Sequence, residues 1–532
     1  MSLSPPSLVT AAIAADLPIR QIPGSYGFPL LGPLSDRLDY FWFQKPESFF
    51  KNRMEKYKST VFRTNVPPSF PFFVNVNPNV IAVLDVKSFS HLFDIDLVDK
   101  KDVLVGDFVP DVSFTGNMRV GVYQDPSEPQ HSKHQRCPGR RRHCPCRHEL
   151  TKLQWDFSRH CLMTQELPQI HPLSSTTFFL STPVLLSPVK GYIIDILKRS
   201  SGIWASELVS NLDVFWDNIE STVSKSSSAS YLFPLQQFLF TFLCKVLAGA
   251  DTSRDPKIAE SGHAMLDRWL ALQLLPITSI GILQPLEEIF LHSFAYPSFL
   301  VSGDYNNIYN FVKQQGHPRK DTINRGEMGF GLTQEEAIHN LLFVLGFNSF
   351  GGFTIFLPSL IDAVAKDSAL QEKLKKEARE NGGSTLTFDS VKEMPLVQSV
   401  VYETLRMNPP VPLQFGRARK DFRLTSHDSV YDVKKGELLC GFQKLVMRDS
   451  LIFDEPDLFK PDRFTKEKGA QLLDYLYWSN GPQSGSPTLS NKQCAGKDVV
   501  TLTAALLVAH LFRRYDSITG DGSSITALQK SK

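Results

Sequence analysis

The chain has 532 residues, of which 42% are hydrophobic and 21% are charged, and a net charge of +2. This composition excludes a disordered chain, a collagen-like fibre and a small disulfide-rich scaffold, and the low charge argues against a nucleic-acid-binding surface. Seven cysteines are few and odd in number, which is typical of a reducing compartment and leaves at least one cysteine for chemistry or a metal.

Residues 1–18 form a separate N-terminal segment that is rich in Ser, Ala and Pro. It has no acidic residue before Asp16 and no Arg before Arg20. No charged region precedes a long apolar run, so the segment does not predict a secretory signal. It also lacks the stretch of about 20 apolar residues that a membrane anchor needs. We interpret it as either a plastid-type leader or a flexible polar tail.

The next part of the chain predicts turns and short strands. Residues 23–33, with the sequence PGSYGFPLLGP, alternate turn-forming and apolar residues, which indicates an extended entry to the domain. Residues 60–64 and 72–76 have strand-like composition, and Pro67 and Pro68 separate them.

Residues 134–188 differ in composition from everything around them. The segment holds four of the seven cysteines, and its seven Lys and Arg against three Asp and Glu give it a charge of +4. The spacing of Cys144, Cys146, His143 and His148 matches no familiar zinc site, and the arginine run at 140–142 is a weak phosphate-binding signal. We interpret the segment as an anomalous insertion.

From about residue 189 the chain reads mainly as amphipathic helix, with no internal repeat. Helices are predicted over 193–219, 365–380, 389–407 and 497–515. The long apolar stretch 340–361 contains Asn, Ser, Gly and Pro, which favours a buried, bent helix over a lipid-exposed span. The predicted fold is therefore mainly α with a small β part.

Cys494 is the first candidate for chemistry. It stands in the sequence NKQCAGKDVV, directly before a strongly helical run. A cysteine at a helix N-terminus gains from the helix dipole and from free backbone N–H groups, so its thiolate is stabilised as a metal ligand or nucleophile. Alone this is a weak signal, because many buried cysteines only pack.

Glu403 and Arg406 form a second candidate feature. Their i,i+3 spacing puts both charges on one helix face, and apolar neighbours such as Leu405 favour burial. Arg463, in the sequence FKPDRF, is expected to join them in one charge-assisted network.

The order E-x-x-R, then P-x-R-F, then Cys-x-Gly resembles the haem-thiolate cytochromes of the P-450 superfamily. The resemblance implies a single-domain haem-thiolate fold over residues 19–133 and 189–532. It implies that Cys494 is the axial ligand of the iron, and that Glu403, Arg406 and Arg463 are a structural network.

Two departures narrow the resemblance. In the sequence GFNSFGG at 346–352, Asn348 stands where monooxygenases carry an acid followed by Thr. Gly481 lies thirteen residues before Cys494, where the superfamily usually has four, so this loop has nine extra residues. Both departures are typical of the plant fatty acid hydroperoxide family, which includes allene oxide synthases, divinyl ether synthases and hydroperoxide lyases. The stretches SYGFPLLGPLSDRLDYFWFQ and FVLGFNSFGGFTIFLPSLI look most like 13-hydroperoxide lyases.

The resemblance implies a lyase that needs neither dioxygen nor a reductase, because its substrate already holds an activated O–O bond. Haem would break that bond homolytically, and the rearranged product, a hemiacetal, would fall apart into a six-carbon aldehyde and a twelve-carbon oxo-acid. Asn348 is the expected catalytic residue, since a neutral amide orients the hydroperoxide without delivering a proton. A kink-forming Asn bonded to the backbone is the alternative interpretation.

The resemblance also implies haem b, with Lys100, His131, Lys190 and Lys492 on its propionate side. Without residues 134–188, His131 and Lys190 would lie at i and i+4 on one helix face. The insertion therefore splits the expected haem-binding helix, and we interpret it as a retained intron or a misplaced exon boundary. Its removal would leave 477 residues and a net charge of −2.

Three hypotheses follow from the sequence. The first is an active chloroplast hydroperoxide lyase with a fatty acid hydroperoxide substrate, peripheral plastid membrane association and no reductase or nucleic-acid partner. The second is a sister activity, allene oxide synthase or divinyl ether synthase. The third is a haem-poor, inactive form that results from the insertion.

Overall fold

The computed structural model describes residues 17–67, 76–124, 188–278, 286–315, 330–465 and 467–530. Within these ranges helices dominate and three small sheets accompany them. The predicted fold class, mainly α with a small β part, is confirmed.

The α-helices divide into two groups along the chain. Those of the first half are Leu31–Leu38, Lys45–Tyr57, Val86–Ser90, Pro188–Ser226, Leu232–Leu243, Pro256–Leu274 and Leu286–Phe290. Those of the second half are Ser302–Gln315, Gln334–Phe343, Gly351–Ala365, Ser368–Asn381, Phe388–Lys392, Pro395–Met407, Gln443–Val446, Glu467–Leu472 and Lys497–Arg514.

The strands form one larger and two smaller sheets. In chain order they are β1 (Ile19–Arg20), β2 (Val61–Asn65), β3 (Asn79–Val83), β4 (Val98–Asp99), β5 (Ala229–Ser230), β6 (Leu413–Ala418), β7 (Phe422–Thr425), β8 (Val430–Val433), β9 (Leu438–Phe442), β10 (Ser517–Gly520) and β11 (Ser524–Gln529). The larger sheet has the order β2-β3-β9-β6-β4, and the smaller ones have the orders β1-β8-β7 and β10-β11-β5. In the larger sheet β3 pairs in parallel with β9, which joins distant parts of the chain.

A helix that runs continuously over Gln334–Ala365 crosses the largest apolar core, and we call it the central helix. It begins with a capping box in which Thr333 and Glu336 bond each other's backbone N–H. Its middle, Val344–Phe350, is wound as a π-helix, a form that is frequent at functional sites. Of the described residues, only this helix is long and apolar enough to span a membrane, and 56% of its most apolar window is buried inside the protein.

Several sequence predictions differ from the structure in their bounds. The predicted helix 389–407 is two helices, because Thr387 caps Phe388–Lys392 and Pro395 starts a new first turn. The predicted helix 365–380 begins at Ser368, where the Asp367 carboxylate accepts the Leu370 N–H at 2.9 Å. The predicted strand 72–76 lies outside the described residues except Val76, and β2 pairs instead with β3.

Two short helices, Leu31–Leu38 and Leu286–Phe290, are inverted in polarity relative to ordinary surface helices. Their polar side chains Arg37 and Glu288 are buried, and Arg37 donates through Nη2 to the Glu288 carbonyl at 2.8 Å and through Nε to the Glu288 carboxylate. Large apolar side chains of the two helices and their flanks point outward instead: Phe28, Leu30, Leu31, Leu34, Phe43, Leu286, Ile289, Phe290, Phe294, Phe299 and Leu300. We call these eleven residues the apolar patch.

Candidate functional site

Cys494 ends a long loop and precedes the helix Lys497–Arg514. Its backbone N–H donates to the Ser479 carbonyl at 2.9 Å, and its carbonyl accepts the Lys497 N–H at 3.2 Å. Cys494 is a free cysteine and is half-buried, whereas Cys244 and Cys440 are fully buried. Of the cysteines that the structure describes, Cys494 is the one placed to reach a bound group.

Opposing influences act on the pKa of the Cys494 thiol. Burial raises the pKa of its thiol, while the Gly496 N–H and the Lys190 ammonium lower it. The stabilising backbone donor that the sequence predicted is present, but burial outweighs it in the protein alone. A metal cation at the sulfur reverses that balance, because a coordinated thiol loses its proton.

Three lysines from distant parts of the sequence converge beside the cysteine loop. Lys100 donates to the Asn480 side-chain oxygen. Lys190 donates to the Asn491 carbonyl at 2.7 Å and to its Oδ1 at 3.0 Å. Lys492 is itself part of the loop. The structure thus brings together three of the four predicted cationic residues; His131 lies outside the described residues, as do residues 134–187 of the predicted insertion.

Burial lowers the pKa of two of these lysines. The pKa of Lys100 falls to about 7, with a further contribution from the nearby Lys492 charge. The pKa of Lys190 falls to about 8, where burial and Lys492 outweigh the opposing effect of Cys494. Ammonium groups that are costly to keep charged gain from an anionic partner, so this corner of the protein suits carboxylates.

Asn348 lies in the π-helical part of the central helix. Its side chain is exposed, although Leu345 and Phe350 beside it are buried in the core. One turn further on, the position where a Cβ of Gly352 would lie is open space. A mostly buried part of the central helix therefore presents an open face, and that face carries the neutral amide of Asn348.

Glu403, Arg406 and Arg463 meet in one buried network. Arg406 forms a two-pronged pair with the Glu403 carboxylate, with Nε to Oε2 at 2.7 Å and Nη2 to Oε1 at 2.8 Å. The Nε of Arg463 donates to both carboxylate oxygens, at 3.1 and 3.0 Å. Glu403 and Arg406 are fully buried, so the group acts as a structural tie between the helix Pro395–Met407 and the segment that leads to the cysteine loop.

Sequence reasoning missed two amide side chains that organise the cysteine loop. Gln493 is buried and donates to the Pro482 carbonyl at 2.6 Å, and Asn480 donates to the Lys492 carbonyl at 2.8 Å. The available signal was position alone, because Gln493 is adjacent to Cys494 and Asn480 lies at the start of the loop.

These residues fit a haem group. Cys494 offers one soft sulfur ligand, the three lysines suit two propionates, and the central helix offers an open face. Within the described ranges, no cluster of three or more His, Cys, Asp or Glu side chains could hold a metal ion, so a single thiolate is the donor on offer.

Comparison with known proteins gives consistent matches. A family model described as Cytochrome P450 matches residues 353–530. Over 533 residues the chain is 55% identical to linolenate hydroperoxide lyase, chloroplastic, of Arabidopsis thaliana, with 99% of this chain and 95% of the relative covered. It is 54% identical to fatty acid hydroperoxide lyase, chloroplastic, of Solanum lycopersicum, with 99% of both chains covered. It is 37% identical to an Arabidopsis thaliana allene oxide synthase, chloroplastic, with 96% of this chain and 88% of the relative covered.

Proposed function

Because the chain belongs to the cytochrome P450 family, in the group that holds hydroperoxide lyases and allene oxide synthases, we propose that it is a chloroplast fatty acid 13-hydroperoxide lyase. The observation that carries the proposal is Cys494 combined with a central helix that offers an exposed amide, Asn348, in place of an acid and Thr. The two hydroperoxide lyases compared above are 54–55% identical to the chain, against 37% for the allene oxide synthase, which favours the lyase reaction.

The cofactor in this proposal is haem b. Cys494 would ligate the iron, and Lys100, Lys190, Lys492 and His131 would neutralise the propionates. When bound, the haem supplies homolytic cleavage of the substrate O–O bond. The lowered pKa values of Lys100 and Lys190 support this assignment, because two carboxylates would stabilise these buried ammonium charges.

In this mechanism Asn348 orients the hydroperoxide. Its amide both donates and accepts hydrogen bonds but cannot deliver a proton, which suits a homolytic step. Phe347 beside it is partly buried and packs against the core, so the amide lies next to an apolar surface on which the carbon chain of the substrate would rest. The rearranged hemiacetal then breaks into a six-carbon aldehyde and a twelve-carbon oxo-acid. The substrate carries its own oxidising equivalents, so no dioxygen and no reductase partner is needed.

Residues 134–188 are, in this proposal, a retained intron or a misplaced exon boundary outside the 19–133 and 189–532 domain. The test compares the full chain with a variant in which Lys133 is joined directly to Val189. Each protein is incubated with a 13-hydroperoxide of linolenic acid, without dioxygen or reductant. The haem-loaded protein is expected to give short-chain aldehydes. The joined variant is expected to bind haem with at least about tenfold higher affinity than the full chain, because it would restore a propionate contact in a continuous helix.

The outcomes of this comparison separate the alternatives. Ketols in place of aldehydes would show allene oxide synthase activity, and divinyl ethers would show the other sister reaction. A full chain with complete haem occupancy and activity equal to that of the joined variant would contradict the view that the insertion damages the site.

We also propose peripheral attachment to a plastid membrane through the apolar patch. The support is the inverted polarity of the helices Leu31–Leu38 and Leu286–Phe290: polar groups satisfied inside and large apolar groups outside are stable where the surroundings are apolar. A lipid surface is also where a fatty acid hydroperoxide would concentrate.

The double variant Phe43→Ser and Phe290→Ser is expected to lower binding to vesicles of plastid lipids at least about tenfold, since each phenyl ring loses its burial in lipid. Flotation of the protein with vesicles measures the bound fraction. The control is Phe233→Ser, which removes a ring that is 59% exposed, packs on His263 and belongs to neither of the two inverted helices. Equal loss in both variants would contradict the proposed surface.

A further inference from the structure

The loop that carries Cys494 is closed at its base by hydrogen bonds between its two ends. The ends are residues 479–482 and 492–494, and we call the pair the neck. The Cys494 N–H donates to the Ser479 carbonyl at 2.9 Å. From the other side, the Asn480 amide donates to the Lys492 carbonyl at 2.8 Å. The neck therefore joins the two ends of the loop by hydrogen bonds that each end donates to the other.

Gln493 is the side chain that fills the neck. Its Nε2 donates to the Pro482 carbonyl at 2.6 Å and to the Ser479 hydroxyl at 3.2 Å. It is 4% exposed, and the backbone of Gly481 packs against it so closely that a Cβ there would lie 3.1 Å from its amide. One buried amide thus cross-links the two ends directly beside Cys494.

Asn480 takes part in the neck with an unfavourable backbone conformation. Its φ of 63° lies in the left-handed region, which a non-glycine residue adopts at some expense. The same side chain accepts the Lys100 ammonium on Oδ1. The strained backbone is therefore maintained by two hydrogen bonds, one to the neck and one to a lysine of the site.

The part of the loop beyond the neck is residues 483–491, and we call it the excursion. It has nine residues, equal to the excess of this loop over the usual four-residue spacing. With the excursion left out, Gly481 stands four positions before Cys494 (13 − 9 = 4). The neck thus closes a short cysteine loop, and the extra residues branch from it. In this branch the Asn491 carbonyl accepts from Lys190, the Asn491 Oδ1 accepts the Gln493 N–H at 3.3 Å, and the Gln483 carbonyl accepts the Lys497 ammonium at 2.5 Å.

We propose that Gln493 is a positioning residue that closes the neck and fixes the Cys494 sulfur independently of the excursion. This rests on the proposed haem-thiolate function. An unbraced thirteen-residue loop would spread its cysteine over many positions, because loop closure alone gives little restraint. A ligand must instead be held to within a fraction of an ångström.

The test uses two substitutions at one position. Gln493→Ala removes the cross-link, and Gln493→Glu keeps the length but removes both N–H donors. Both are expected to lower the proportion of thiolate-ligated haem, seen in the ferrous–carbon monoxide spectrum, about tenfold, and to shift the reduction potential. The matched control is Gln371→Ala, which removes a buried glutamine bonded to the Val364 and Ile518 carbonyls at 3.0 Å each. It is expected to lower stability and leave the spectrum unchanged.

A second variant replaces the excursion with two glycines. It is expected to retain the thiolate spectrum, although it loses nine residues and the Asn491 contact to Lys190. Wild-type spectra and potentials in both Gln493 variants would overturn the proposal, as would loss of the thiolate signal in the excursion variant alone.

For variants that bind no haem, the proposal is tested by the chemical accessibility of the Cys494 thiol in haem-free protein. Mass spectrometry of the Cys494 peptide gives its rate of alkylation by iodoacetamide. Gln493→Ala is expected to raise this rate about tenfold, because the half-buried thiol becomes accessible when the neck opens. An unchanged rate would overturn the proposal, whereas a faster rate in a protein with no lyase activity would support it and count against the proposed function instead.

Discussion

Glu403→Ala is expected to lower the free energy of unfolding by about 3–5 kcal/mol, a large part of the 5–15 kcal/mol that holds a domain together. The substitution leaves the guanidinium groups of Arg406 and Arg463 buried without their carboxylate, with side-chain exposures of 0% and 4%. The loss of stability arises more from leaving two arginine charges buried without a counter-charge than from losing the attraction itself. Urea unfolding followed by fluorescence measures the loss, together with the yield of soluble protein.

A second pair in the chain gives a matched control. Glu372 also pairs with a cation three residues away on a helix, Lys375, but its side chain is 67% exposed. Glu372→Ala is expected to change stability by no more than about 1 kcal/mol, since water screens the pair. Similar losses in the two variants would show that burial of the Glu403 network does not carry its effect.

Cys494→Ser is expected to abolish the thiolate-ligated haem spectrum and to reduce product formation by more than about 100-fold. Loss of outer contacts to a metal ligand alone costs about 10–100-fold, so loss of the ligand itself sets a higher expectation. A serine hydroxyl is a harder donor that keeps its proton, and it does not replace a thiolate on iron. The absorption spectrum and the aldehyde yield from a 13-hydroperoxide are the two readouts.

Cys440→Ser is the control for this substitution. Cys440 is a fully buried free cysteine in β9, away from the loop, and burial raises the pKa of its thiol well above the ordinary value. The variant is expected to lose some stability and to keep the haem spectrum. A normal spectrum in Cys494→Ser would remove the basis for this residue as the iron ligand.

Local sequence pattern was enough to predict the elements that carry the site. The helix predicted over 497–515 runs over Lys497–Arg514, because the segment is rich in helix-forming apolar residues and its start follows a glycine. The long helix predicted at 193–219 is longer, Pro188–Ser226. Glu403 and Arg406 were readable as a pair from their i,i+3 spacing alone.

Contacts between distant segments could not be predicted from local sequence pattern. Nothing local to Lys100, Lys190 and Lys492 indicates that they meet, and only a family resemblance brought them together. The neck depends on amides at 480 and 493 that bond across the loop, and no periodicity reports such a contact. The two inverted helices were not predicted either: residues 23–33 indicated an extended entry, and no local pattern shows that apolar side chains of the two helices point outward.

The parallel pairing of β3 with β9 bears on how the chain is made. Ile81 pairs with Leu439, so 358 residues must be added before β3 meets its parallel partner β9 (439 − 81). At a synthesis rate of about 5–20 residues per second, the edge of β3 waits about 20–70 s on the ribosome. An unpaired strand edge attracts other chains over such a time. The exposed edge of β3 is therefore a site at which a chaperone would protect the nascent chain.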